Sequence, residues 1–232
     1  MVSRRKSDLL SNLPDSLLVT IISLLPFKQS VQTSILARRW KNLCLETTNL
    51  VFKESEFVNL STDTETIKSK RSLFVSTMCQ WISSFTGEVI ESLEFSLSEP
   101  VSFEKAIVSL TEFAASKQIK NITIDFSSPA SRKIDRISMP LDPKAFWLTN
   151  DTYECLERTL KLVKIKNFRG GSNELHVLKY LIRRGLVMEQ LDLYEAKGLN
   201  DDQRRLVLTA AEEVQKNVER GSKHLRITLH KA

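Results

Sequence analysis

Apolar residues recur with a helical period over the first fifty or so positions and with a period of two beyond them. Leu17, Leu18, Ile21, Ile22, Leu24 and Leu25 make a wide apolar stripe at helical spacing, opened by Leu13-Pro14-Asp15 and closed by Pro26. Proline is tolerated in the first turn of a helix, and an acid there meets the positive end of the helix dipole. A second short helix is predicted over 28–36 and a third over 38–46, with Val31, Ile35, Leu36, Trp40 and Leu43 at their apolar positions. Three short helices enclose a very small core, and these carry more apolar surface than they can hide from water. The module is therefore expected to lean on something else.

Beyond Asn49 strands alternate with helices. Leu93-x-Phe95-x-Leu97, Ile122-x-Ile124-x-Phe126, Val163-x-Ile165, Leu191-x-Leu193 and Leu225-x-Ile227-x-Leu229 each alternate with period two, and Leu50-x-Phe52 reads as a degenerate first copy. Helical patterns fill 66–85, 103–116, 173–184 and 201–218. The last two are punctuated by Ser172 or Asn173 as an N-cap, Gly185 as a stop behind Arg183 and Arg184, Asp201-Asp202 as a start and Gly221 as a stop. The steps from Leu93 to Ile122, Val163 to Leu191 and Leu191 to Leu225 are 29, 28 and 34 residues. They lie near or slightly beyond the roughly 20–29 residues of a leucine-rich repeat. The step of 41 from Ile122 to Val163 breaks the rhythm, and the Pro-, Ser- and Asp-rich stretch over 127–153 reads as an irregular loop of unusual length.

A chain of 232 residues with 41% apolar content can hold one large domain, or a small module and a larger one. Cys44, Cys79 and Cys155 are odd in number and far apart, which signals neither a disulfide framework nor a zinc site and suits a reducing compartment. The longest apolar run, Leu17 to Leu25, is interrupted by Thr20 and Ser23 and cannot span a membrane. Asp8, Asn12, Pro14 and Asp15 separate it from the basic Arg4-Arg5-Lys6, and no small-residue cleavage site follows, so a secretion signal is not expected. Residues 1–130 carry 14 basic and 14 acidic side chains, so the whole net charge of +6 falls within 131–232. Such an excess suits an acidic protein surface, a nucleic acid, or simply a solvated face.

The segment LPDSLLVTIISLLPFKQSVQTSILARRWKNLCLETTNLVF, residues 13–52, resembles the F-box of plant proteins that join an F-box to leucine-rich repeats. From about Cys155 to His230 the chain resembles the FBD region that ends many of these proteins. The family departs at two positions, often having tryptophan where Cys44 stands and a small residue where Phe27 stands. It also usually carries more repeats ahead of the FBD region, so the chain looks like a shortened member. The resemblance implies an α+β or α/β repeat fold, a three-helix F-box followed by a short leucine-rich-repeat-like solenoid. The expected divisions are a basic tail (1–8), the F-box (9–48), repeat-like strands and helices (49–126), the irregular loop (127–153) and the FBD region (154–232). It implies an adaptor that docks on the Skp adaptor, and through it cullin, in a ubiquitin ligase while its repeats hold an unknown protein substrate. Skp-facing or supporting positions carried over by the match are Leu13, Pro14, Leu17, Ile21, Ile22, Leu25, Val31, Arg38 and Trp40. For each, packing among the chain's own helices is the alternative.

In such repeats the residues between buried strand positions share one face. Here they include Thr123, Asp125, Lys164, Lys166, Asp192, Tyr194 and Arg226, a mixed-charge row that either binds substrate or is merely solvated. Trp147 in the irregular loop is a further candidate anchor, or a lid over core left open by missing repeats. No catalytic constellation appears. His176, His224 and His230 have no spacing that joins them to one another or to a cysteine, and Gly170-Gly171 lacks the rest of any phosphate-loop motif. An enzyme is not expected, no cofactor is implied, and no groove-reading motif accompanies the basic residues. A non-catalytic adaptor in the nucleus and/or cytoplasm is the expectation. The alternatives are a basic module for nucleic acid or acidic protein, and a chain that binds Skp without recruiting a substrate.

Overall fold

The computed structural model describes residues 12–35, 38–59, 63–98, 100–126 and 153–232. Helices α1 (Asp15–Ser23), α2 (Phe27–Thr33) and α3 (Arg38–Leu43), with a 3-10 turn at Cys44–Glu46, precede strand β1 (Asn49–Lys53). Then follow α4 (Thr64–Ser84), β2 (Val89–Ser96), α5 (Glu104–Ala115), β3 (Gln118–Asp125), α6 (Glu154–Arg158) and β4 (Leu162–Phe168). The chain closes with α7 (Ser172–Arg184), β5 (Gln190–Glu195), α8 (Asp201–Lys216) and β6 (Arg226–His230).

The six strands among the described residues form one sheet in chain order, and every neighbouring pair is parallel. Parallel neighbours need a crossover between them, and α4, α5, α7 and α8 supply it on one face. The register aligns Leu50, Leu93, Ile122, Val163, Leu191 and Ile227 in one row. Two residues later, Phe52, Phe95, Ile124, Ile165, Leu193 and Leu229 make the next row. Both rows turn toward the helices and share a core with Phe74, Met78, Ile107, Leu178 and Val207. The alternation seen in the sequence is therefore the inward face of a repeat sheet. Leu50-x-Phe52 is a full first strand rather than a degenerate copy, pairing with β2 along its whole length.

The long step between the third and fourth strands does not break the ladder, since β3 and β4 pair from Asn121↔Leu162 to Asp125↔Lys166. What changes there is the cover. Among the described residues only the single turn α6 lies between these strands, so Ile122 and Ile124 are half-buried where their neighbours Leu93 and Val163 are fully buried. An apolar cavity of about 60 Å³ lies between this part of the sheet, α5 and α7, lined by Ile107, Leu110, Ile122, Val177 and Leu181 among others.

The Gly170-Gly171 pair is a turn that seats α7. Gly170 takes φ 73°, and a Cβ there would lie 2.9 Å from both Ala210 Cβ and the Leu206 carbonyl oxygen, so only glycine fits against α8. The N-cap is Gly171 rather than Ser172 or Asn173. The open N–H groups are satisfied instead by Glu174, whose Oε2 accepts from Gly171 N at 2.9 Å and Arg169 N at 3.2 Å. Glu174 is buried, and that desolvation pushes its carboxyl up to about 7 although the N–H donors pull the other way. A carboxyl whose folded value exceeds its unfolded one stabilises the fold most at low pH, and that contribution declines as pH rises from about 4.5 to 7. Glu174→Gln keeps an oxygen for the same N–H groups but cannot ionise. The variant should lack this decline, worth at most about 3 kcal/mol, in urea unfolding measured across that pH range.

Candidate interaction surfaces

The first surface is built by α1, α2 and α3. Leu18, Ile22, Trp40, Leu43 and Cys44 are buried against one another, with Leu13, Val19 and Leu45 packed around them. Ile22 and Trp40, two of the carried-over Skp positions, thus lie inside the module and offer nothing to a partner. Val31 packs against the main sheet core, and Leu25 is half-buried. The side chain of Arg38 lies outside the described residues, as does Trp147. The positions open to solvent are Pro14, Leu17, Ile21, Leu24 and Ile35, with Leu24 78% and Ile35 83% exposed. Leu24 and Ile35 were legible only as apolar periodic positions, with nothing in the pattern to say that they face outward.

Arg39 braces this surface and was not singled out in the sequence. Its Nε donates to Asp15 Oδ1 at 2.7 Å and its terminal nitrogen to the Leu13 carbonyl at 2.7 Å, tying α3 to the chain just ahead of α1. Pro14 and Leu17 are held in place by that tie. The module is also fixed to the sheet. Phe27 of α2 is buried in the main core, with its ring 4.7 Å from Phe52 and 5.7 Å from Trp81. Thr48 N donates to Ser23 Oγ at 3.1 Å, and Lys28 N to Glu56 Oε2 at 3.1 Å. Phe27 therefore belongs to the joint between module and sheet.

The second surface is the face of the sheet turned away from the helices. Registered across it lie Glu94, Thr123, Lys164, Asp192 and Thr228, and two residues later Lys53, Ser96, Asp125 and Lys166. Beyond the irregularity in β4 after Ile165, Tyr194 pairs with His230, their rings stacked at 4.4 Å and 12°. The structure thus brings all the predicted outward positions from Thr123 to Arg226 onto one face. Asp192 differs from the rest in being only 2% exposed. Its Oδ2 accepts from Gln190 Nε2 at 2.7 Å, and its Oδ1 lies 3.2 Å from His230 Nε2. Sequence pattern alone made His230 a lone histidine near the chain end.

Among the described residues no group of three or more His, Cys, Asp and Glu side chains could hold a metal, and no helix is long and apolar enough to cross a membrane. Cys155 is buried, which pushes its thiol up to about 11 and makes it a poor nucleophile.

Residues 10–50 match the F-box domain and residues 150–193 match FBD. An F-box/LRR-repeat protein of Arabidopsis thaliana is 48% identical over 130 residues, covering 56% of this chain and 27% of that protein. An F-box protein of the same plant is 49% identical over 129 residues, again 56% of this chain and 27% of its own length. A longer match, 26% identical over 215 residues, takes in 84% of this chain and 46% of an F-box/FBD/LRR-repeat protein from that plant. The matches thus span from about a quarter to just under half of the length of these relatives. The chain thus has a helical segment that matches the F-box ahead of a parallel repeat sheet that includes a segment matching FBD, and it is similar to plant F-box/LRR-repeat and F-box/FBD/LRR-repeat proteins.

Proposed function

We propose that this chain is a substrate-recruiting, non-catalytic adaptor subunit of a Skp-cullin-F-box ubiquitin ligase. The F-box docks on the Skp adaptor, and through it cullin, while the outer face of the sheet holds a protein substrate. One observation carries the proposal: the α1–α3 module completes its own core with Leu18, Ile22, Trp40 and Leu43, yet leaves Leu17, Ile21, Leu24 and Ile35 facing solvent. These residues are not needed inside; Leu17, Ile21 and Leu24 follow one another at helical spacing along α1 and its C-cap, and an exposed apolar stripe beside a finished core is what a protein partner covers. The F-box resemblance names the partner that fits.

Leu17→Asp combined with Leu24→Asp is expected to weaken capture of a plant Skp adaptor by about a hundredfold, since both would sit at the centre of a desolvated contact. Both side chains are at least half exposed, so circular dichroism and the urea midpoint should not move. Capture should also tolerate salt, being apolar in character. Undiminished capture by a folded double variant would remove the F-box face as the docking surface.

A further inference from the structure

The outer face of the sheet divides into two electrically different halves. Taking the adaptor role above as given, we infer that the β4–β6 half docks an acidic, extended segment of the substrate protein. Over β1–β4 the charges are satisfied among themselves. Lys53 Nζ lies 3.1 Å from Glu94 Oε2, and Lys166 Nζ lies 3.5 Å from Glu94 Oε1 and 3.9 Å from Asp125 Oδ2. Two cations, on β1 and β4, bracket two carboxylates on β2 and β3, leaving little net field for a partner.

The other half is not balanced in this way. Its carboxylate, Asp192, is sunk beneath His230 and Gln190 with both oxygens engaged, and it is 2% exposed. Glu189, at the edge of this half, is paired with Lys161 Nζ at 2.8 Å and also lies in the field of Arg226. Lys164 and Arg226 make no ion pair among the described residues, and the stacked rings of Tyr194 and His230 lie two residues beyond the row of Lys164 as a flat, stiff surface. On the outer face of β4–β6 the exposed functional groups are thus cationic and aromatic, and the outward carboxylate Asp192 is hidden, while Glu189 lies at the strand edge beside Lys161 and Glu195 is engaged by Arg204 and Ala232 N.

Register gives the shape of the occupant. Lys164 aligns with Asp192 and Thr228, and Arg226 aligns with Gln190, so the two cations sit two strands apart and two residues out of step. At about 4.8 Å between strands and about 3.3 Å per residue, their Cα atoms lie roughly 12 Å apart. Side chains four residues apart on an extended segment are separated by about 13 Å. An extended segment with acids at that interval can reach both cations, and a compact anion cannot.

The test uses the full chain and a fluorescein-labelled peptide of alternating glutamate and serine, followed by anisotropy at low ionic strength. Lys164→Glu should weaken binding about tenfold or more, and Lys164→Gln by a smaller factor in the same direction. Arg184→Glu makes the same charge change at the exposed end of α7 on the helix layer, and it should alter binding less than about twofold. Equal losses in the Lys164→Glu and Arg184→Glu variants would assign binding to net charge and overturn the inference. No binding of the peptide, or no loss with either Lys164 variant, would do the same. A single-stranded oligonucleotide that displaces the peptide at lower concentration would reassign the face to nucleic acid. Skp capture is measured separately on the same preparation, so loss of either activity alone shows which of the two assignments has failed.

Discussion

Arg71→Met is expected to cost about 3–5 kcal/mol of unfolding free energy in urea denaturation. Arg71 and Glu54 are 4% and 5% exposed, an ion pair almost without water. Arg71 Nε donates to Glu54 Oε1 at 2.7 Å, its terminal nitrogen donates to Ser98 Oγ at 2.9 Å, and Ser98 N donates to Glu54 Oε2 at 2.6 Å. The cluster joins the chain after β1, the middle of the sheet-side face of α4 and the chain after β2. Removing the guanidinium leaves the carboxylate buried with the Ser98 N–H, and an uncompensated buried charge costs far more than the pair itself contributes. Adding Glu54→Gln to the variant should therefore recover about half of the loss, because the amide oxygen can still accept from Ser98 N while no charge remains to be desolvated. A single variant that loses less than about 1 kcal/mol would mean that water reaches Glu54 and that the cluster is not a buried lock.

The strands were legible because a sheet with one covered face writes a period of two into its sequence, and the steps from Leu93 through Ile122 and Val163 to Leu191 are the observed register. The last step differs, because Leu191 pairs with Ile227 rather than with Leu225, which precedes β6. The outward row follows from the same alternation, which puts Lys164, Asp192 and Arg226 on one face. The state of that face could not be read in the same way. The burial of Asp192 depends on His230, 38 residues away, and the Arg71–Glu54 pair spans 17 residues at no regular spacing. The F-box shows the other limit of pattern. Periodicity marks Ile22, Trp40, Leu24 and Ile35 alike as apolar positions, but it does not distinguish a core closed within the chain from one closed by a partner. Burial separates them, placing Ile22 and Trp40 inside and Leu24 and Ile35 outside.

Phe27→Ala should cost about 3–5 kcal/mol, the usual range for deleting a buried phenylalanine, and its consequence should extend beyond the F-box. A repeat sheet buries each strand against its neighbours, so its first strand needs a cap. Here the cap is α2: Phe27 meets Phe52 of β1 and Trp81 of α4 edge to face, with Phe57 at 6.2 Å. Leu50 and Phe52 are consequently as well buried at the edge of the sheet as Leu191 and Leu193 are further along it. At the other end β6 has no such cover among the described residues, and its inward Ile227 and Leu229 are half-buried. Emptying the Phe27 site should therefore loosen β1 and α4 together. Hydrogen exchange should show lost protection in both elements, whereas the amides of β4 and β5 should keep theirs. Phe27→Leu, which refills most of the volume, should cost about 1–1.5 kcal/mol. Loss of protection confined to α1–α3 would show the F-box to be a separate module. Loss that spreads into β1 and α4 would mean that one core fixes the exposed apolar face of α1–α3 and the outer face of the sheet in a single orientation, so that a partner held on one is presented at a constant angle to the other.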